Sequence, residues 1–204
     1  MNGGRFISFE GVEGCGKSTQ ARLLAEALEQ AGHAVVRTCE PGGTALGRSI
    51  RGLLLDPANE MADRVEALLY AADRAQHVEE VIRPALDAGK FVICDRFADS
   101  TIAYQGYGLG LKLGLIDQLN AIATAGRSPN LTLLLDLDPV VGQQRKRADR
   151  ADRIEQRVLD FHHRVRDGFL AIAASAPQRV TVLDGTRNAH DLQQAIVSLV
   201  TSRW

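Results

Sequence analysis

The chain contains 204 residues, 45% of which are hydrophobic, and its formal net charge is -1 at pH 7. These values are typical of one folded α/β domain and argue against a protein that coats nucleic acid through bulk positive charge. Three cysteines, with no C-x-x-C spacing and no histidine at metal-ligand spacing, indicate reduced thiols. Because there is no signal-peptide core and no apolar stretch that could span a membrane, we expect a cytoplasmic protein.

Short apolar runs and helix-period segments alternate along the chain. The apolar runs predict strands at residues 5–10, 34–38, 91–95, 131–136 and 180–184. Between them, one predicted helix is closed by Gly32, and another is marked by Met61, Val65, Leu68, Leu69 and Ala72. This alternation predicts an α/β fold: a doubly wound five-stranded parallel sheet with helices on both faces and ligands at the carboxyl ends of its strands. A later stretch is predicted to be a loop because of Gly106, Gly108, Gly110 and Gly114.

The strongest functional pattern follows the first predicted strand. Residues 11–18, Gly-Val-Glu-Gly-Cys-Gly-Lys-Ser, match G-x-x-x-x-G-K-[ST] between a strand and a helix. Lys17 is predicted to reach the β and γ phosphates of ATP, and the Ser18 hydroxyl to ligate Mg²⁺. The predicted ATP-binding residues are Gly11, Val12, Glu13, Gly14, Cys15, Gly16, Lys17, Ser18 and Thr19. Kinases, GTPases and ATPases share this pattern, but the chain lacks the N-K-x-D that a GTPase uses to bind its base.

The third predicted strand ends in Asp95-Arg96. If this strand neighbours the first, Asp95 becomes a candidate ligand for Mg²⁺ or its water shell. Arg96 becomes a candidate to bind a second phosphate group, because its planar guanidinium can bond two phosphate oxygens. An ordinary surface ion pair is the alternative that these two residues leave open.

Several segments resemble thymidylate kinases. They are residues 9–19, 40–44, 68–74, 93–105, 129–136 and 152–156, and they follow one another in the family's order. The resemblance implies one P-loop nucleoside monophosphate kinase-like domain over residues 1–204, with a short lid at about 142–156. It implies transfer of the γ-phosphoryl group of Mg·ATP to dTMP, and a homodimer. A kinase of another nucleoside or nucleoside monophosphate and an ATP-binding switch are the alternatives.

The resemblance also implies a set of residues that bind the acceptor: Glu13, Arg51, Tyr70, Arg74, Arg96, Thr101, Tyr104 and Gln105. Glu13 would bond the 3′-hydroxyl, and Tyr104 would exclude a ribose hydroxyl at C2′. Tyr70 would stack on thymine, although without the resemblance it would be interpreted as a core aromatic residue. Arg51 and Arg96 would hold the acceptor phosphate, and the other members would face the base.

A dense run of cations precedes the last predicted strand: Arg145, Lys146, Arg147, Arg150, Arg153 and Arg157. A solvated helix face is the ordinary interpretation of such a run. In-line phosphoryl transfer, however, needs positive charge around the migrating group, and the phosphate loop contains no arginine. In this respect the chain resembles bacterial thymidylate kinases whose lid carries the catalytic arginine. Arg150 and Arg153 are both candidates, and the sequence does not rank them.

One position departs from the family. Before Glu40-Pro-Gly-Gly the bacterial pattern usually has an arginine, and this chain has Cys39. We hypothesise that Arg37, two residues earlier on the same strand face, or Arg48, one helical turn from Arg51, supplies the missing cation.

For the adenine of ATP, the loop at residues 184–187, which follows the last predicted strand, is the candidate binding segment.

Overall fold

The computed structural model describes residues 3–145 and 152–204. Within them, five strands form a parallel sheet in the order β2-β3-β1-β4-β5. The strands are β1 (Arg5–Glu10), β2 (Val35–Cys39), β3 (Phe91–Asp95), β4 (Leu131–Asp136) and β5 (Val180–Asp184). The predicted five-stranded parallel sheet is confirmed, and only the second strand begins and ends one residue later than predicted.

Helices connect the strands. They are α1 (Lys17–Gln30), α2 (Ala45–Leu55), α3 (Asp63–His77), α4 (Arg83–Asp87), α5 (Ala98–Thr101), α6 (Leu113–Thr124), α7 (Pro139–Gln144), α8 (Leu159–Ser175) and α9 (Ala189–Arg203). Thr44 caps the N-terminus of α2 and Asn188 that of α9, each side chain accepting a hydrogen bond from a backbone N–H of the first turn. None of the helices in residues 3–145 and 152–204 has the length and apolar character needed to cross a lipid bilayer.

Apolar side chains leave both faces of the sheet. On one face, Ile7 and Phe9 of β1 pack into the core that contains Leu24 of α1 and Phe169 of α8. On the other, Phe6 packs with residues of a π-helical segment, Val78–Ile82, that continues α3. This two-sided burial explains the nearly unbroken apolar strands. Several predicted site residues lie at or just after the carboxyl ends of β1, β2 and β3.

The predicted glycine-rich loop is wrong for most of its length. Gly106 and Gly108 lie in a second π-helical segment, Ile102–Gly108, and Gly114 lies in α6. A Cβ on Gly106 would come within 2.7 Å of Leu113, and one on Gly108 within 2.6 Å of Phe161. These glycines therefore permit close helix packing, and of the four only Gly110 occupies a turn with positive φ.

The apolar residues that predict α3 do not all face the core. Val65 and Leu68 are 46% and 54% exposed, whereas Glu66 and Arg74 on the same helix are buried. The helix is present as predicted, but a buried polar network occupies the side that packs against the protein. An apolar stripe is left on the surface of α3, beside α2.

Candidate active site

A cavity of about 620 Å³ opens above the carboxyl ends of the strands. It brings together most of the predicted site residues, namely Glu13, Gly14, Gly16, Lys17, Ser18, Thr19, Arg51, Tyr70, Asp95, Arg96, Thr101, Tyr104 and Gln105. Five predicted residues are described but do not line it: Gly11, Val12, Cys15, Arg74 and Arg153. Arg150 lies outside the described residues.

The phosphate loop, residues 11–18, lies at one end of the cavity. Gly14 and Gly16 have φ of 72° and 99°, a conformation that favours glycine. A Cβ on Gly14 would lie 2.1 Å from the carbonyl oxygen of Gly142, so only glycine permits this contact between the loop and α7. The Lys17 ammonium donates to the carbonyl oxygens of Gly11 and Val12 at 3.1 and 2.8 Å. Lys17 thus places its charge inside the loop, at the start of α1.

Ser18 and Asp95 meet across the sheet, since the Ser18 hydroxyl donates to the Asp95 carboxylate. Asp95 ends β3 and pairs in register with Phe9 of β1, directly before the phosphate loop. A hydroxyl and a carboxylate are hard oxygen ligands of the kind Mg²⁺ prefers. Among the described residues no group of three or more His, Cys, Asp or Glu side chains could hold a metal ion. These two ligands therefore fit an ion that takes its other ligands from phosphate and water.

Arg96 stands between the two ends of the cavity. Its Nη1 donates to the Gly11 carbonyl oxygen at 3.0 Å, and its Nη2 donates to Glu13 Oε1 and Tyr104 Oη at 3.0 and 3.1 Å. The Tyr104 hydroxyl in turn donates to Glu13 Oε1 at 2.6 Å. Burial disfavours the charged Glu13 carboxylate, yet the positive charges of Arg96 and Lys17 lower its pKa. The three side chains form one hydrogen-bonded cluster in which Arg96 and Glu13 are charged, whereas burial raises the pKa of Tyr104 and keeps its hydroxyl neutral.

The backbone at Arg96 has φ of 73°, which is costly for a residue with a Cβ. Glu10 holds the following turn in place, because its carboxyl group accepts from the Phe97 N–H at 2.7 Å and from the Ser100 hydroxyl at 2.6 Å. Burial and, second, the negative charge of Asp99 raise the pKa of Glu10 to about 8. Glu10 is therefore a buried support for the conformation of Arg96.

The far end of the cavity is lined by Tyr70, Thr101 and Gln105. Burial and the negative charge of Glu66 raise the pKa of Tyr70, so its hydroxyl stays neutral. Gln105 donates its Nε2 to Glu66 Oε1 at 2.8 Å, which fixes the orientation of the amide. One aromatic ring, one hydroxyl and one oriented amide suit a flat heterocyclic ligand with polar edges.

Arg74 lies directly behind this end and is 1% exposed. At 2.8 to 3.0 Å its guanidinium donates to the side chains of Glu40, Thr101 and Asn120 and to the backbone carbonyl oxygen of Phe97. Nη2 uses one hydrogen for Phe97, and its second hydrogen has no acceptor among residues 3–145 and 152–204. Contact with a base edge, as predicted, would have to use that hydrogen.

The end of β2 borders the cavity near Arg51. Arg37, Thr38 and Cys39 all line it, whereas Arg48 is exposed and does not. Burial raises the pKa of the Cys39 thiol, and the positive charge of Arg51 opposes that rise. Within the part of the chain that the structure describes, Arg37 has no hydrogen bond or ion pair. Of the two predicted substitutes, only Arg37 is at the cavity.

The base of the predicted lid contacts the protein at two places. Arg145, which lines the cavity, donates to the Gly185 carbonyl oxygen at 2.9 Å and so adjoins the predicted adenine loop. Arg153 instead binds Glu66 Oε2 at 2.7 Å and the Leu54 carbonyl oxygen at 2.8 Å. Arg153 is thereby held by α2 and α3 and does not line the cavity.

Three buried acids of the site were missed by sequence reasoning: Glu10, Glu40 and Glu66. Glu10 carried a usable signal, because it ends an apolar strand that is buried on both faces, and an acid there must have partners. Glu40 and Glu66 carried none, since their partners lie 34 or more residues away in the chain: Arg74, His77, Gln105, Arg153 and Arg157.

Comparison with known proteins gives one consistent result. A family model described as Thymidylate kinase matches residues 9–196. The chain is 52% identical to a thymidylate kinase of Nostoc punctiforme over 202 residues, covering 97% of this chain and 96% of that protein. It is 53% identical to a thymidylate kinase of Deinococcus radiodurans over 204 residues, covering 100% and 99%.

A solved structure gives the same result at the level of the fold. The crystal structure of thymidylate kinase from Ehrlichia chaffeensis matches with a TM-score of 0.80 and 39% sequence identity, covering 97% of this chain and 99% of that chain. The sequence match and the structural match both extend over nearly the whole chain. On both grounds, the chain belongs to the thymidylate kinase family.

Proposed function

We propose that this chain transfers the γ-phosphoryl group of ATP to dTMP, giving dTDP and ADP. The observation that carries the proposal is one cavity with a phosphate loop at one end and Tyr70, Thr101 and Gln105 at the other. Arg96 lies between them, where donor and acceptor phosphates must meet. The relatives described as thymidylate kinases support dTMP as the acceptor.

The acceptor end would select the sugar and the base separately. Glu13 would accept a hydrogen bond from the 3′-hydroxyl, and Tyr104, whose hydroxyl lies 2.6 Å from Glu13 Oε1, would exclude a hydroxyl at C2′. Tyr70 would stack on the face of thymine. The edge of the base would then contact Thr101, Gln105 and the remaining N–H of Arg74. Arg51 and Arg96 bind the acceptor phosphate. The Arg96 guanidinium is already held by four partners, the Gly11 carbonyl oxygen, Ser100, Glu13 and Tyr104, so bonding two phosphate oxygens would exchange at least one of these contacts.

Catalysis would rest mainly on positive charge placed around the migrating group. The phosphate loop from Gly11 to Thr19 binds the ATP phosphates, and Lys17 follows the γ-phosphoryl group. Ser18 and Asp95 would hold Mg²⁺, which when bound neutralises charge on the β and γ phosphates. The lid, about residues 142–156 of a single domain, supplies a further cation. Arg150 is the better candidate, because Arg153 is already bound to Glu66.

The chain would act as a homodimer. Leu46 and Leu53 on α2, seven residues apart, are 53% and 52% exposed, and Val65 and Leu68 on the adjacent α3 are similarly exposed. Two packed helices that present apolar stripes to water fit a self-complementary interface. We expect Leu68→Glu to shift the mass measured by light scattering to that of a monomer. Val182→Glu, at an exposed apolar position of β5, should leave the mass unchanged, and an unchanged mass for Leu68→Glu would contradict this interface.

We further propose that the enzyme works in the cytoplasm on small molecules alone, with no nucleic acid or membrane partner. The net charge of -1 supports the absence of a nucleic-acid partner, because proteins that coat nucleic acid carry bulk positive charge.

The direct test of the reaction is coupled ADP release with dTMP, dCMP, dGMP and AMP. We expect dTMP to be strongly preferred. Equal or faster turnover of another nucleotide would favour a different monophosphate kinase, and no turnover of any would favour an ATP-binding switch.

A further inference from the structure

Glu66 binds three partners from two distant parts of the chain. It lies in the first turn of α3 and is 0% exposed. Its Oε1 accepts from Gln105 Nε2 at 2.8 Å. Its Oε2 accepts from Arg153 Nη2 at 2.7 Å and from Arg157 Nη2 at 2.8 Å. A buried carboxylate is stable only with such partners, so the four side chains depend on one another.

The bond to Gln105 fixes which end of its amide is left for a ligand. An ionised carboxylate only accepts hydrogen bonds, so Gln105 must turn its Nε2 toward Glu66. The amide oxygen is then the group that remains for other partners. An oxygen acceptor matches the N3–H of thymine and does not match the N3 of cytosine, which has no hydrogen. Without a carboxylate at residue 66 the amide could reverse.

The bond to Arg153 ties the same carboxylate to the lid. Arg153 also donates its backbone N–H to the Leu55 carbonyl oxygen at 3.1 Å and its Nε to the Leu54 carbonyl oxygen at 2.8 Å. The segment that follows residues 146–151 is therefore docked on the end of α2. Arg153 is 12% exposed at its side chain and does not line the cavity. Its position is that of an anchor at the base of the lid.

The geometry points to Glu66 as a positioning residue that orients the Gln105 amide for thymine and anchors the lid through Arg153. This inference rests on the proposed dTMP kinase function and adds a physical link to it. Gln105 and Arg153 do not bond to each other among the described contacts, and Glu66 is their common partner. Base selection and lid position therefore depend on one buried carboxylate.

The test begins with Glu66→Gln, which keeps the size of the side chain and removes its charge. With saturating Mg·ATP, we expect the ratio of kcat/KM for dTMP over dCMP to fall at least about tenfold, because the amide of Gln105 is no longer fixed. We expect kcat for dTMP to fall as well, because Arg153 loses its charged partner. The control is Ile196→Ala, a core truncation on α9, which lowers the melting temperature and should leave the ratio unchanged.

A double-mutant cycle keeps the test decisive even if Glu66→Gln does not fold. Gln105→Ala and Arg153→Ala are measured singly and together in the wild-type background. Their combined effect on kcat/KM for dTMP should differ by at least about threefold from the product of the single effects, as expected for residues that share a partner. In the Glu66→Gln background, the combined effect should match the product within about twofold.

Two results would overturn the inference: a dTMP-to-dCMP ratio unchanged in Glu66→Gln, or multiplicative single effects in the wild-type background. Both can occur in an enzyme that phosphorylates dTMP normally, so they leave the proposed function intact. Failure of the wild-type protein to phosphorylate dTMP would overturn the proposed function itself, and this inference with it.

Discussion

The two ends of the cavity are built in different ways. At the phosphate end, one continuous stretch of chain supplies the loop, its lysine and its hydroxyl, and glycines set the backbone. At the acceptor end, buried side chains from distant segments hold one another, as Glu40 holds Arg74 and Glu66 holds Arg153. The phosphate end is thus a local structure, whereas the acceptor end exists only in the folded protein. Mutations at the two ends should therefore have different consequences.

The largest expected effect is at the local end. Lys17→Ala should lower kcat by several orders of magnitude, because it removes a charge that follows the migrating phosphoryl group. The melting temperature should change little, because the loop's backbone is set by its glycines. Steady-state kinetics and thermal unfolding check both expectations, with Lys112→Ala at an exposed position as the matched control. Retention of more than about a tenth of wild-type kcat would mean that another cation performs this role.

The lid provides the next contrast. We expect Arg150→Ala to lower kcat by about 10³-fold with a much smaller change in KM for dTMP, as for an arginine finger. Arg153→Ala should lower kcat only about tenfold, because Arg153 is bound to Glu66 and does not line the cavity. Single-turnover measurements on both variants separate the two roles. Near-normal kcat in both would mean that the basic run is a solvated surface.

The third prediction concerns Glu10, the buried support of Arg96. Its pKa is raised from 4.5 to about 8, so the folded protein binds a proton that the unfolded chain releases between these values. The stabilisation is therefore complete below pH 4.5 and is lost as the pH rises through about 8, with a slope of at most about 1.4 kcal/mol per pH unit. Glu10→Gln stays neutral and should flatten this part of the stability profile.

Urea unfolding at pH 6, 7 and 8 measures the slope for the wild type and for Glu10→Gln. Glu29→Gln, at an exposed position on α1, is the control for the loss of one carboxylate. An equal slope in all three proteins would show that Glu10 is ionised in the folded state at neutral pH.

The smallest expected effect tests the departure at Cys39. Arg37 lines the cavity beside Cys39, and it has no partner among the described residues. Arg37→Ala should raise the KM for dTMP about three- to tenfold, and clearly less in a Cys39→Arg background, because one cation would then replace the other. Arg48→Ala is the control, since Arg48 does not line the cavity. An unchanged KM in Arg37→Ala would leave the phosphate to Arg51 and Arg96 alone.

The same contrast explains what could be predicted from the sequence. Five apolar runs predicted the sheet, and the glycine and lysine spacing predicted the phosphate loop, because each pattern lies within one short stretch of the chain. Gly106 and Gly108 gave a wrong prediction of a loop, because the sequence alone does not distinguish a glycine needed for close packing from a glycine in a loop. The links through Glu66 span up to 91 residues, and no local pattern indicates which arginine pairs with which acid.

Transfer of the γ-phosphoryl group from ATP to dTMP within this one cavity is tested most directly by a competition experiment. The wild-type protein is given limiting Mg·ATP with equal concentrations of dTMP, dCMP, dGMP and AMP, and the products are separated by chromatography. The account predicts dTDP as the dominant diphosphate, formed in equal amount to the ATP-derived ADP after correction for a control without protein. A dominant diphosphate of any other acceptor, or ADP formed without dTDP, would contradict it.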